Sequence, residues 1–332
     1  MPTRKTLIVF DTNRLRQVIS DGPAYHTFSF GAEFERLKNF LSDNGLDVAV
    51  SLATTRMTLS ELLKQKTEQF KADKGDLKAI VERMSALPGV NFGTVQLTDA
   101  GFDCHSHLSP KVEEFLRLSN VLLIDLPEGK YAAVLKRMLE RSINKRTPFV
   151  RTDSGFKDVI IWESLLHYDR LAEYDKVYLV SNDGGFDDCC KTEFEVEKRK
   201  TIIITSSVQM LIENLEDDYE NEIEVHKHAQ FAGTDYFKDH INGIVSGLTS
   251  LTIDGVDCGV RDIRIGSYLD SVQYPLEEDT GISVILVSIA QGKALIDREE
   301  KTVNIKIKTS LDEAQGIQNT DMEIDTGSVC RS

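Results

Sequence analysis

Short apolar runs alternate with longer periodic segments along the first two thirds of the chain. The apolar runs are rich in Val, Ile and Leu, and they predict strands at residues 6–10, 47–52, 121–126, 176–180 and 201–204. Between them, apolar positions recur every three to four residues, which predicts helices at 57–87, 131–143, 157–171 and 207–215. Continuous apolar strands separated by helices are typical of a parallel sheet covered on both faces. We therefore predict an α/β fold for this part of the chain.

The pattern changes after about residue 230. One helix is predicted at 236–248, and short strands follow at 251–253, 260–265, 282–290 and 303–307. In the last of these strands Val303, Ile305 and Ile307 alternate with polar residues, as in a sheet that has one face in water. We predict a second, smaller domain that is α+β or mostly β.

An acidic run separates the two patterns. Residues 213–224 contain seven acids and no base, and such a run repels itself and stays solvated. The chain also becomes polar after about residue 312, as loose tails do. We predict an α/β domain at 1–215, an acidic linker at 216–230, a second domain at 231–312 and a polar tail at 313–332.

Composition fits this organisation. The chain has 332 residues, of which 41% are hydrophobic and 28% charged, as in a globular protein of two domains. No apolar run approaches the ~20 residues of a membrane span, so we expect no membrane partner. The first apolar run stops at Asp11, which argues against a signal peptide. The five cysteines lack CxxC spacing, which favours a cytoplasmic protein, and we read residues 104–107 (CHSH) as a loop.

Acidic residues lie where a parallel sheet gathers its functional groups. Asp11 follows the first predicted strand and Asp183 follows the fourth, while Glu61 and Asp158 lie early in two predicted helices. Ligands of open α/β sheets bind beyond the carboxyl ends of the strands. We therefore predict that these four carboxylates converge.

Converging carboxylates repel one another unless a cation is present. Mg²⁺ or Mn²⁺ is the natural counter-ion, because both prefer oxygen ligands. Such ions activate water and neutralise phosphate, so we predict phosphodiester hydrolysis with Asp11, Glu61, Asp158 and Asp183 as catalytic metal ligands. Thr12, Asn13 and Ser181 are candidates for supporting contacts to the ligands or to metal-bound water, or for local capping.

Each acid also has a plain structural explanation. Asp11 would serve as a helix N-cap, Glu61 as a solvated helix residue and Asp183 as a turn residue. Asp158 differs, because it precedes the apolar run VIIW, where a carboxylate needs a partner or a metal ion.

The formal charge of −15 argues against a generic nucleic-acid binder. Residues 130–157, however, hold eight basic and two acidic residues and lead directly into Asp158. We predict that this basic stretch forms a rim that contacts the phosphates of a nucleic acid. The alternative is that it is a solvated helix face. The candidate nucleic-acid-binding residues are Arg141, Lys145, Arg146, Arg151 and Lys157.

Four motifs in order resemble the PIN-domain nucleases: IVFDTNRL, MTLSELL, GFKDVIIW and LVSNDGGF. The resemblance covers about residues 5–210 and is greatest to the larger bacterial members. It implies a PIN-like parallel sheet flanked by helices and a metal-dependent endoribonuclease that binds RNA. It also implies a toxin–antitoxin or phage-defence setting, and with it an inhibitory or activating protein partner; a homo-oligomer is a further expectation.

One departure from the family pattern concerns Gly185, where many members have a second Asp. Asp187 is a candidate substitute as a further metal ligand, as is Asp188, each displaced in register. The number of metal ions, one or two, is thereby left open. Two alternatives follow: a degenerate PIN-like fold that binds RNA or serves as a scaffold, and a phosphoaspartate phosphatase, which Asn13 disfavours because it cannot transfer the required proton.

Overall fold

The computed structural model describes residues 4–16, 25–87, 101–149, 155–253, 256–275, 282–296 and 299–324. The chain divides into two compact units, Met1–Asp218 and Tyr219–Ser332. Within the described ranges, the helices fall short of the length and apolar character that crossing a bilayer requires.

The first unit is a parallel sheet with helices between its strands. Its strands are β1 Thr6–Phe10, β2 Val50–Thr55, β3 Leu122–Ile124, β4 Lys176–Val180 and β5 Ile202–Thr205. Its helices are α1 Thr12–Leu15, α2 Ala32–Asp43, α3 Arg56–Ser85, α4 Cys104–Leu118, α5 Tyr131–Asn144, α6 Phe156–Leu166, α7 Asp188–Lys198 and α8 Val208–Asp218. Short 3₁₀ turns precede α5 and follow α6. The predicted α/β fold is confirmed.

The strand order is β3-β2-β1-β4-β5, so β1 lies at the centre. All five residues of β1 are buried, as a run of Thr, Leu, Ile, Val and Phe between two strands requires. The chain builds the sheet outward from β1 in one direction through β2 and β3, and then in the other through β4 and β5. The carboxyl ends of β1 and β4 therefore border the point where the order reverses, which is where doubly wound sheets bind ligands.

Two helices next to this edge start from local signals. The Thr55 hydroxyl accepts a hydrogen bond from the Thr58 amide and begins α3, whose buried residues all lie in its first two turns. Helix α6 begins after Gly155 and buries Trp162 completely. The remaining turns of α3 bury no residue, so its start is the part that contributes to the sheet edge.

Several predicted elements need correction. The predicted helix 157–171 ends at Leu166 and continues as a 3₁₀ turn, because the segment after His167 no longer follows helical spacing. The interpretation of residues 104–107 as a loop is wrong, since Asp103 caps α4 by accepting hydrogen bonds from the amides of His105 and Ser106.

The second unit consists of two helices and an antiparallel sheet. Its elements are α9 Glu220–Ala232, α10 Asp235–Gly247, β6 Ser250–Ile253, β7 Val256–Gln273, β8 Val284–Ile296, β9 Glu299–Leu311 and β10 Ile317–Ile324. The strands follow one another in the order β10-β9-β8-β7-β6. Phe237 and Ile241 of α10 pack against the inward residues of β9, among them Ile305 and Ile307. The predicted α+β or mostly-β domain is confirmed.

The segment predicted as a linker at 216–230 is helical, and the division between the two units falls inside it, between Asp218 and Tyr219. The acids of this run alternate with buried Leu215, Tyr219 and Ile223, which recur every four residues and give an apolar face to a charged segment. The polar tail predicted at 313–332 is wrong in its first half, because β10 pairs antiparallel with β9. Residues 325–332 lie outside the described ranges.

Candidate active site

Asp11 directly follows β1 and is 3% exposed. Its Oδ1 accepts a hydrogen bond from the Thr12 amide at 2.6 Å, and its Oδ2 accepts one from the Ser181 hydroxyl at 2.7 Å. Burial is the main cause that raises the pKa of Asp11, with further contributions from the charges of Asp183 and Glu61; the two hydrogen bonds act in the opposite direction. Asp11 is therefore a helix cap and also part of a group of like charges.

Ser181, at the end of β4, positions a second acid. Its hydroxyl oxygen accepts a hydrogen bond from the Asp183 amide at 3.0 Å, while the hydroxyl proton is donated to Asp11. Asp183 Oδ1 accepts a hydrogen bond from the Gly185 amide at 2.8 Å, the turn geometry that Asx residues favour. One serine thus orients the acids that follow both central strands.

Glu61 lies in the buried start of α3, and its side chain is 20% exposed. Its Oε2 accepts a hydrogen bond from the Thr12 hydroxyl at 3.0 Å. Its Oε1 lies 2.5 Å from the ammonium nitrogen of Lys157. Glu61 is therefore not a freely solvated helix residue; Thr12 ties it to the end of β1 and Lys157 ties it to α6.

Asp158 lies in the first turn of α6, where the positive helix end favours an anion. Even so, burial raises its pKa to about 7, together with the charges of Asp183, Asp11 and Glu61; only Lys157 acts against this rise. Among the described residues, none donates a hydrogen bond to the Asp158 carboxylate. This part-buried acid thus faces three other carboxylates with one nearby cation.

We name Asp11, Glu61, Asp158 and Asp183 the acidic centre. The contacts of Ser181 and Thr12 join Asp11, Asp183 and Glu61, and the charges of these three acids raise the pKa of Asp158, so the four lie at the sheet edge that the sequence predicted. Their donor set consists of carboxylate oxygens, which suits Mg²⁺ or Mn²⁺. Among the described residues, no three His, Cys, Asp or Glu side chains already close into a metal cage. The centre therefore fits a divalent ion by its chemistry and charge rather than by a finished coordination shell.

Two further candidates lie differently from the acidic centre. Asp187 caps α7, because its Oδ1 accepts hydrogen bonds from the amides of Cys189 and Cys190 at 2.9 and 3.3 Å. Asn13 is exposed on α1. Neither Asp187 nor Asn13 is among the groups that shift the pKa of Asp11 or Asp158. Thr12 and Ser181, in contrast, make the supporting contacts that the sequence suggested.

The backbone of Pro148 lies so close to Gly185 that a side chain there would fit only if this backbone moved. A Cβ at this position would lie 2.8 Å from the Pro148 carbonyl oxygen and 3.2 Å from Asp183 Oδ1. Gly155 is equally crowded, because a Cβ there would lie 2.9 Å from the Phe149 ring and 3.1 Å from the same carbonyl. The two glycines allow residues 148–149 to pack between α6 and the loop that holds Asp183, so an aspartate at position 185 would force this segment to shift.

The basic residues fall into different environments. Lys145 and Arg146 are exposed just beyond α5, and Lys157 pairs with Glu61, while Arg151 lies outside the described ranges. Arg141 requires a correction, because it is 8% exposed and turned into the protein. A buried guanidinium that already holds protein partners cannot serve as a phosphate contact at the rim.

Arg141 belongs to a buried ion cluster that the sequence analysis missed. Its guanidinium contacts Glu163 at 3.3 Å, the Thr147 carbonyl at 2.6 Å and Glu193. Arg137 also contacts Glu163, at 3.0 Å, and Glu163 is fully buried. The cluster joins α5, α6 and α7. The signal in the sequence was Glu163 itself, an acid inside the apolar run VIIWESLL, which needs a buried partner.

A parallel α/β unit with an acidic centre at the reversal point of its strand order defines the class of this protein. A family model described as a PIN domain matches residues 8–186, more than half of the chain, and the chain belongs to the PIN-domain family. PIN domains are generally nucleases that act on RNA and typically use divalent metal ions. The comparison with curated proteins found no match, and the comparison with solved structures found none either.

Proposed function

We propose that this chain is a divalent-metal-dependent endoribonuclease whose acidic centre hydrolyses phosphodiester bonds of RNA. The observation that carries the proposal is the convergence of Asp11, Glu61, Asp158 and Asp183 at the reversal point of a PIN-domain sheet. Four carboxylates this close together, one of them with its pKa raised to about 7, favour the binding of a cation.

In this proposal carboxylates of the acidic centre would hold Mg²⁺ or Mn²⁺. The bound ion supplies an activated water and neutralises charge on the phosphate. The Ser181 hydroxyl keeps the oxygens of Asp11 turned toward the end of β4, and Thr12 does the same for Glu61. Asp187 remains a candidate ligand by sequence, although its Oδ1 is engaged in capping α7.

The exposed bases Lys145 and Arg146 are proposed to contact the phosphates of the RNA strand, with Arg151 as a further candidate by sequence. These contacts are few, and the chain is acidic overall, so RNA binding is expected to weaken steeply with salt. Toxin or defence activity, control by a protein partner, a homo-oligomeric state and a cytoplasmic location stay predictions that rest on the resemblance and on composition.

The test is a cleavage assay on end-labelled single-stranded RNA, single-stranded DNA and duplex DNA, with EDTA, Mg²⁺ or Mn²⁺. We expect internal cleavage of RNA that requires the metal ion and is lost in Asp11→Asn and Asp158→Asn. Asp76→Asn is the matched control, because Asp76 is exposed on α3, in turns that bury no residue. RNA that is bound but left intact by the wild type under all metal conditions would instead support the degenerate RNA-binding alternative.

A further inference from the structure

Lys157 adjoins the acidic centre in sequence and also contacts one of its acids directly. It immediately precedes Asp158 on α6, and its ammonium contacts Glu61 Oε1 at 2.5 Å. The other oxygen of Glu61 accepts the Thr12 hydroxyl proton at 3.0 Å. Among the described residues, Glu61 is thus the acid of the centre that a cation of the chain contacts directly, whereas the donors to Asp11 are a neutral amide and a neutral hydroxyl.

Two positions in the loop after β4 where a further acidic ligand was considered are constrained. A carboxylate at position 185 would force the Pro148 carbonyl to move, and Asp187 Oδ1 is engaged in capping α7. A two-ion centre needs carboxylates that reach two positions about 3.5–4 Å apart. With Glu61 paired to Lys157, the acids of the centre that no cation of the described residues contacts are Asp11, Asp158 and Asp183.

The charges lead to the same count. One divalent ion together with the Lys157 ammonium would neutralise three of the four carboxylate charges of the centre. A second divalent ion beside Lys157 would place two cations on Glu61 at contact distance, where their repulsion is large in a part-buried site.

We propose that the Lys157 ammonium takes the electrostatic place of a second metal ion, so that the centre binds one Mg²⁺ or Mn²⁺ between Asp11, Asp158 and Asp183. Glu61 is then a positioning residue that holds Lys157 and the Thr12 hydroxyl. This inference rests on the proposed function, and it names the metal stoichiometry and the residue that sets it.

The test counts bound Mn²⁺ by equilibrium dialysis, with free Mn²⁺ read from its electron paramagnetic resonance signal. We expect one ion for the wild type and one for Lys157→Arg, which keeps the charge. Lys157→Gln is expected to bind a second ion, because it frees Glu61 Oε1 and adds net negative charge. The double variant Lys157→Gln with Glu61→Gln should return to one ion. Lys191→Gln, which changes an exposed lysine on α7, is the matched control.

Two ions bound to the wild type would overturn the inference and leave the proposed nuclease function standing. One ion in Lys157→Gln, with that variant shown to be folded by circular dichroism, would overturn it as well. No Mn²⁺ bound by the wild type would contradict the proposed function itself, and the inference would fall with it. The wild-type stoichiometry does not depend on how any variant folds.

Discussion

Replacing Asp158 by Asn is expected to stabilise the metal-free protein, and more strongly at pH 8 than at pH 5. The substitution keeps the size of the side chain and removes its negative charge. In the absence of metal ions, that charge is part-buried and faces Asp183, Asp11 and Glu61, with only Lys157 to offset it. The acidic centre therefore lowers the stability of the metal-free protein, and the same charges favour the binding of a cation.

The magnitude follows from the pKa of Asp158. Burial, followed by the neighbouring carboxylates, raises this pKa from 3.8 to about 7. At about 1.36 kcal/mol for each pKa unit, the full rise corresponds to about 4 kcal/mol. Because the carboxylate is only part-buried, solvent screening reduces the expected gain in unfolding free energy to about 1–2 kcal/mol. A domain of this size gains about 2–4 °C for each kcal/mol.

The pKa of Asp158 sets the sign of the pH dependence of stability. This pKa is higher in the folded protein than in the unfolded chain, so the folded protein binds the proton more tightly between about pH 4 and pH 7. The wild type therefore loses unfolding free energy as the pH rises through this window. Asp158→Asn lacks this titrating group and does not show this loss. At pH 5 the wild-type carboxyl is largely protonated, and the two proteins should differ little.

The assay is thermal unfolding in EDTA at pH 5 and pH 8, followed by the fluorescence of Trp162. This is the single tryptophan of the chain, and it is fully buried on α6, so its signal reports the first unit. Asp76→Asn, which changes an exposed acid on α3, serves as the control. Equal melting temperatures for wild type and Asp158→Asn at pH 8, or a larger gain at pH 5, would refute the electrostatic reasoning.

Two other substitutions test the packing around the centre. Gly185→Asp is expected to lower the unfolding free energy by about 1–3 kcal/mol, because its Cβ would lie 2.8 Å from the Pro148 carbonyl oxygen. The measurement is urea denaturation. An unchanged unfolding free energy would show that residues 148–149 move aside at little cost. Glu163→Ala is expected to lower it by about 3 kcal/mol, because it leaves buried arginine charge less compensated. Glu173→Ala, at an exposed ion pair with Arg170, is its control and should melt like the wild type; equal losses in the two variants would contradict a special role for the buried cluster.

The sequence predicted those features that follow from strand pattern and sheet topology. The bounds of β1 and β4 agree with the apolar runs, because both strands are buried on both faces and their residues after Thr6 and Lys176 are apolar. Asp11 and Asp183 could be placed at one edge because parallel strands bring their carboxyl ends together. Thr12 and Ser181 were then suggested by their positions beside these acids.

What the sequence could not predict depends on which way a helix faces. Arg141 stood in a basic stretch, but its position on α5 turns it toward Glu163 and Glu193, which come from two other helices. Helix α7 was missed because only Cys190 and Phe194 are buried on it, too few for a recognisable periodicity. The ion pair between Lys157 and Glu61 joins residues that are 96 positions apart, and no local pattern predicts such a contact.

The most direct test of the central claim is the rate of RNA cleavage measured as a function of Mn²⁺ concentration, with Mn²⁺ binding measured on the same preparation. The acidic centre predicts cleavage that is absent in EDTA, saturates with the same midpoint as Mn²⁺ binding, and is lost with that binding in Asp11→Asn. Cleavage that persists in EDTA, or that Asp11→Asn and Asp158→Asn retain at the wild-type rate, would contradict a metal-dependent nuclease built on these carboxylates.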